Sequence, residues 1–144
     1  MIKIICIGKL KETYLKQAIE DYTKRINKYH KLTIIELPDS NIEEEKNQIL
    51  KQINKKDYII SLTIEGNHLD SIALANKIDK IFLTNSNITF VIGGSNGLSK
   101  EIKDISNYCL SFSDLTFPHG IFRLILLEQI YRSFKILNKE TYHK

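Results

Sequence analysis

The residues of this chain with chemistry to offer are four histidines, two cysteines, a glycine cluster and a short polar-aromatic tail. His30, His68, His119 and His143 show no zinc-like spacing, and there is no Cys-x-x-Cys, so no metal is expected. Without a Gly-x-Ser-x-Gly elbow, nothing suggests a hydrolytic triad. The run Gly93-Gly94-Ser95-Asn96-Gly97 follows the apolar stretch Thr89–Ile92 and precedes a helical pattern. Glycines there let backbone approach a ligand, and free amides can meet its acceptors. The spacing is neither a dinucleotide fingerprint nor a P-loop, which argues against a Rossmann-type enzyme, and an ordinary strand–helix turn explains it as well. A second polar loop, Ser113 to Gly120, contains Pro118-His119. Glu128 and Arg132 stand i, i+4 and can simply pair. Tyr142-His143-Lys144 closes the chain, where frayed ends are common.

These groups need elements to position them. Ile2–Ile7, Leu32–Leu37, Tyr58–Ile64, Asn87–Ile92 and Tyr108–Phe112 read as strands, short and nearly continuously apolar. Helical spacing runs from Leu10 to Tyr29 through Leu15, Ala18, Ile19, Tyr22 and Ile26. A polar helix to about Asn54 starts at Ser40, with Glu43 completing a capping box. Glu65-Gly66-Asn67 reads as a loop. Asp70 or Ser71 caps a helix to about Thr84, Ser99 a short one to about Asn107, and Pro118 fits the first turn of the last. Strands alternating with helices give an α/β layered fold with a mostly parallel sheet of about five strands. One domain over residues 1–144 is the simplest division.

Between Ile121 and Phe134, nine of fourteen residues are apolar. That is more than one sheet-facing stripe requires, and a C2 homodimer is the economical partner. Charge is uneven: residues 1–31 carry eight Lys/Arg against three Asp/Glu, and residues 121–144 carry five against two. The stretch between them is acidic. Basic ends suit a polyanion, although solvated helix faces would look the same. No apolar run reaches membrane-spanning length, no signal-peptide layout opens the chain, and Cys6 and Cys109 lie in apolar runs as free thiols would. A cytoplasmic protein is expected.

Taken together and in order, Ile92-Gly93-Gly94-Ser95-Asn96-Gly97-Leu98, Leu110 to His119, Glu128-Gln129-Ile130-Tyr131-Arg132 and Tyr142-His143-Lys144 resemble the ribosomal RNA large subunit methyltransferase H family. The opening Ile7-Gly8-Lys9-Leu10-Lys11 and the strand Ser61 to Gly66 resemble it too, so the likeness covers the whole chain. Lys144 stands where some members have Arg, and the segment after Pro38 is short beside some members.

The resemblance implies an α/β-knot (SPOUT) fold whose C-terminal chain threads a trefoil knot, packed as a homodimer. It implies S-adenosylmethionine held among loops at Leu62, Gly93 and Phe112-Ser113-Asp114-Leu115-Thr116-Phe117, and methylation of N3 of a pseudouridine in 23S ribosomal RNA, on assembled ribosomes. Because the imide N3–H must lose its proton, a general base helps. The candidates, in order, are His143, His119 and Glu128. Arg123, Arg132, Lys144 and the helix face Lys16, Lys24, Arg25 and Lys28 would meet RNA phosphates. Tyr142 would stack on the target base, a contact of roughly 1–3 kcal/mol. The competing reading is a non-catalytic ribosome-associated RNA-binding protein of the same fold.

Overall fold

The structure, a computed structural model, describes residues 1–144. Its elements alternate throughout: β1 (Ile2–Ile7), α1 (Thr13–Ile26), β2 (Leu32–Leu37), α2 (Ile42–Gln52), β3 (Tyr58–His68), α3 (Ser71–Thr84), β4 (Ile88–Ile92), α4 (Lys100–Ile105), β5 (Tyr108–Ser111) and α5 (His119–Leu137). The five strands form one sheet in the order β2-β1-β4-β3-β5, with every pairing parallel. Parallel strands need crossover helices, and helices on both faces explain why the strands are apolar on both sides. The period-two alternation is clean in β1. Ile2, Ile4 and Cys6 join the core under α1, α3 and α5, while Ile5 and Ile7 join the core under α2 and α4.

Local signals account for the helix starts. Asp70 accepts from the Ala73 amide at 2.7 Å and Ser99 from the Ile102 amide at 3.2 Å, as the cap signals predict. The expected cap at Ser40 is displaced by one residue. Asn41 accepts from the Glu44 amide at 2.8 Å, and Glu45 reaches back to the Ser40 amide at 2.9 Å. Asn is as good a cap as Ser, and the shift turns Glu45 inward to 4% exposure.

β3 departs furthest from expectation. It does not end at Ile64 but continues to His68, and its pairing with β5 jumps from Leu62 to Asn67. Thr63 to Gly66 are therefore extruded as a bulge. Gly66 makes this possible, since a Cβ there would lie 2.7 Å from the Cys109 carbonyl oxygen.

Helix α5 lies between α1 and α3, and much of its apolar circumference is consumed by them inside one chain. Leu126, Leu127 and Ile130 are fully buried; Ile121 remains 38% exposed. The helix ends in a Schellman pattern: Lys139 N–H bonds Ile136 C=O at 3.1 Å, and Glu140 N–H bonds Lys135 C=O at 3.0 Å. The reversal turns on Lys139, which has φ +55° where glycine is usual. Replacing Lys139 with Gly removes the left-handed penalty and is expected to stabilise the chain by about 0.5–1 kcal/mol. Chemical denaturation of the two proteins measures it.

Candidate active site

A parallel sheet delivers the loop after each strand to the same edge, and ligands of such sheets sit in the crevice outside those strand ends. Here the crevice is about 620 Å³. Its walls come from four loops: Asp39-Ser40 after β2, the β3 bulge, the turn after β4, and the long segment from Phe112 to α5.

The β3 wall presents Leu62, Thr63, Ile64 and Glu65, with Glu65 paired to Lys103 of α4 at 2.6 Å. That lysine's hydrogen bond holds the Glu65 carboxyl below its ordinary range. Thr63 Oγ1 is buried without a partner in the chain. The β4 wall is a tight turn closed by Gly97 N–H to Gly94 C=O at 3.0 Å, with Gly97 at φ +72°. Gly93 is glycine for a reason other than the expected one. A Cβ there would strike the Gly97 main chain at 2.7 Å, so its bareness makes room for the protein's own turn rather than for a ligand. Gly94 likewise clears the Ile7 side chain, at 2.9 Å from its would-be Cβ.

The third wall is aromatic and amide-rich. Phe112 and Phe117 both pack on Phe122, with ring centroids 5.1 and 6.2 Å apart. The Leu115 amide is spent on Ser113 Oγ at 3.0 Å, whereas the amides of Thr116 and Phe117 donate to no group in the chain. His119, at the first residue of α5, lines the crevice with its ring free of internal hydrogen bonds. Of the cofactor residues expected from sequence, Leu62, Gly93, Phe112, Ser113, Leu115, Thr116 and Phe117 line this crevice. Asp114 does not; it points outward, 86% exposed, 3.5 Å from His68 Nε2.

The sequence matches the family described as "Predicted SPOUT methyltransferase" over residues 1–143. The chain belongs to the SPOUT methyltransferases. Relatives include the ribosomal RNA large subunit methyltransferase H of Clostridium tetani, 49% identical over 157 aligned positions, covering 99% of each chain. The protein of the same name from Clostridium botulinum is 48% identical over 157 positions with the same coverage. Among solved structures, a "probable methylase family protein" from Haemophilus influenzae Rd KW20 aligns over 99% of this chain and 70% of its own, with a TM-score of 0.60 at 14% identity. The SpoU methyltransferase AviRb from Streptomyces viridochromogenes, solved with AdoMet, aligns over 92% of this chain and 57% of its own, with a TM-score of 0.51 at 10% identity. At these identities the likeness is one of fold.

In this SPOUT methyltransferase the other expected site residues gather at the far end of α5. Glu128 Oε1 accepts from Arg132 Nη2 at 2.6 Å, Arg132 Nε at 3.0 Å and the Tyr142 hydroxyl at 3.1 Å. Its Oε2 accepts from Gln129 at 2.9 Å. Arg132 also reaches His143 Nδ1 at 3.0 Å and stacks 4.8 Å from the Tyr142 ring centre. A guanidinium cannot accept, so Nδ1 must, and the His143 proton then sits on Nε2. The tail is therefore docked, not frayed. Burial, with hydrogen bonds to Tyr22 and Glu128, pushes the Tyr142 phenol well above its ordinary range. Lys144 is exposed.

Arg123 requires a correction. Expected at RNA phosphates, it is 1% exposed and paired with Glu36 at 2.6 Å. Its position on α5 faces β1 and β2, so no phosphate can reach it. On α1, Lys24 and Arg25 pair with Glu20 at 3.3 Å and Asp21 at 3.1 Å, while Lys16 and Lys28 carry no ion pair. Sequence reasoning missed Thr63, Phe122 and Lys103 as crevice residues. Only the pattern of Phe122, an aromatic one turn into a helix after Phe112 and Phe117, offered a signal. Gly93→Ala is expected to destabilise the protein by about 1–3 kcal/mol through overpacking against Gly97. Thermal unfolding, with displaced Gly97 and Leu98 amide resonances, checks it.

Proposed function

We propose that residues 1–144 act as one methyltransferase domain that methylates N3 of a pseudouridine in 23S ribosomal RNA from S-adenosylmethionine, as a homodimer, on the assembled cytoplasmic ribosome. The observation that carries this reading is the convergence of the bulge after Leu62, the turn after Gly93 and the Phe112–Phe117 segment on one crevice. These residues suit S-adenosylmethionine. The Thr116 and Phe117 amides offer donors to an adenine edge, the Phe112–Phe117–Phe122 group offers apolar cover, and Thr63 lines the same crevice from the β3 bulge. The likeness to relatives named for large-subunit ribosomal RNA supports the substrate class. A trefoil-knotted C-terminal segment belongs to the same proposal.

The cofactor, when bound, supplies an electrophilic methyl group. The chain's task is to hold the base and remove its proton. His119 is the proton acceptor we favour, because its ring is in the crevice with both nitrogens uncommitted. Glu128 is a poorer candidate for that role, since four protein donors already occupy its oxygens. His143, with its proton on Nε2, is suited to donate to an imide carbonyl and so to stabilise the deprotonated base. Tyr142 and Arg132 hold it there, and Lys144 and Arg132 supply positive charge for phosphate.

His119 and Arg132 lie thirteen residues apart on one helix, roughly 20 Å at 1.5 Å per residue. One chain therefore does not bring its docked tail to its own crevice. A second copy, meeting the uncovered α5 face around Ile121 and Ile125, would supply the tail in trans. Mixed dimers of a tail-less subunit and a subunit with a disabled Phe112–Phe117 loop should then recover activity in one of their two sites. Absence of any recovery rejects tail sharing.

Mapping ribosomal RNA modification at nucleotide resolution in a deletion strain tests the activity. One methylated pseudouridine should vanish and return with the wild-type gene. His143→Ala should lower the rate about 10²-fold, whereas His143→Gln, a donor without basicity, should retain most of it. Equal loss in both would restore His143 as the base.

A further inference from the structure

Arg123 is the largest fully buried side chain in the protein, and the proposed reaction has no use for it as a phosphate contact. Its Nη1 donates to Glu36 Oε2 at 2.6 Å and its Nη2 to the Gly8 carbonyl at 3.1 Å, while Nε finds no partner. Glu36 Oε2 also accepts the Leu10 amide at 3.3 Å, and the Gly8 amide bonds the Leu37 carbonyl at 2.7 Å. The loop after β1 is thus pinned at three successive points, by β2 and by α5. Gly8 sits at φ +100°, and a Cβ built on it would lie 3.1 Å from His119 Cε1 and 3.4 Å from Asp39 Oδ2. His119 and Arg123 stand i, i+4, one turn apart on the same face of α5. One turn of helix therefore grips Gly8 twice, by guanidinium at the carbonyl and by imidazole against Cα.

We propose that the Glu36–Arg123 ion pair is a positioning device that fixes the Gly8 main chain as the surface against which His119 is oriented for proton removal. The reaction in which it acts is the one proposed above. Neither residue lines the crevice, so the pair would act on the rate and not on cofactor affinity. Stability is a poor explanation for it, because the Arg123 guanidinium is taken fully out of water while its Glu36 partner stays 38% exposed, so the arginine's desolvation offsets much of what the pairing gains. Burial pushes the Glu36 carboxyl up, but the hydrogen bond and charge of Arg123 outweigh it and leave the group below its ordinary range. Burial also drives the neighbouring Cys6 thiol up to about 11, so no competing charge arises there. In the step concerned, the N3–H pair of electrons stays on nitrogen to form the bond to the methyl carbon. The proton passes to His119 and then to water, and the sulfonium sulfur leaves with the electrons of its broken bond as a thioether.

The test is the double variant Glu36→Leu/Arg123→Met, beside Arg123→Met alone, assayed with ribosomes at steady state. The single variant leaves Glu36 without its counter-charge and should melt lower. The double variant should melt close to wild type and bind S-adenosylmethionine with unchanged affinity by calorimetry. Its kcat should fall on the order of 10–100-fold with KM for ribosomes unchanged. The deficit should shrink as pH rises and the imide needs less help, which a merely structural defect would not do. Wild-type turnover in the double variant, or a rate loss that follows cofactor affinity, overturns the proposal. If wild-type protein methylates no ribosome, the functional reading fails separately. The His119 ring resonances then decide the positioning claim, and their constancy between wild type and double variant sinks it.

Discussion

Parallel pairing of all five strands is the constraint from which the site follows. Once every strand runs the same way, every strand-to-helix loop must emerge at one edge, and residues far apart in sequence become neighbours there. Leu62, Gly93 and Phe112 meet because β3 lies between β4 and β5. The sheet needs no help from the loops to do this. Its strands are covered on both faces by two separate cores, and β1, β2, β3 and β4 each contribute buried residues to both. What the loops add is local. A bulge in β3 and a glycine-bare turn after β4 narrow the edge into a crevice instead of a flat rim.

Helix α5 carries the second half of the design. Its first turn supplies His119 to the crevice, its middle is the core between α1 and α3, and its last turns anchor the tail through Glu128 and Arg132. Arg132 is shared between the Glu128 carboxylate, the face of Tyr142 and the ring nitrogen of His143. Lys135 and Tyr29 then clasp Glu140 at 2.7 and 2.8 Å, fixing the turn from which the tail returns. Several charge-assisted bonds in one half-buried network order a chain end that composition alone would leave loose.

The sheet, the order of elements and the C-terminal loops were legible in the sequence because apolar period, cap residues and glycine clusters are local signals. Ser99 and Asp70 cap where they should. Three features were not legible, each for a nonlocal reason. The β3 bulge depends on how Gly66 meets the Cys109 carbonyl across to β5, which no window along β3 contains. Gly93 looked like a ligand-facing glycine, but the atom it clears belongs to Gly97 in the folded turn. Arg123 looked like a surface cation, since an Arg in an apolar helix gives no sign that an acid from β2 awaits it 87 positions away. The site residues also split into two groups along α5, a separation set by helix rise and invisible in a motif.

Two buried charged residues, Asp57 and Arg123, show how differently the two edges of the sheet are built. At the N-terminal edge of the sheet, Asp57 accepts from Thr89 at 3.0 Å, Asn87 at 3.3 Å and the Asn54 amide at 3.1 Å, with Lys3 at 3.5 Å. That network ties the starts of β1, β3 and β4 and leaves no Asp57 oxygen without a donor. At the opposite edge the Arg123 Nε is left without a partner, and the guanidinium spends a bond on main chain instead. A closed network is what a purely architectural role selects, because an unpaired buried donor costs about 1–3 kcal/mol. Tolerating that cost beside Gly8 and His119, and not at the other end, marks the C-terminal edge as the one where placement outweighs stability.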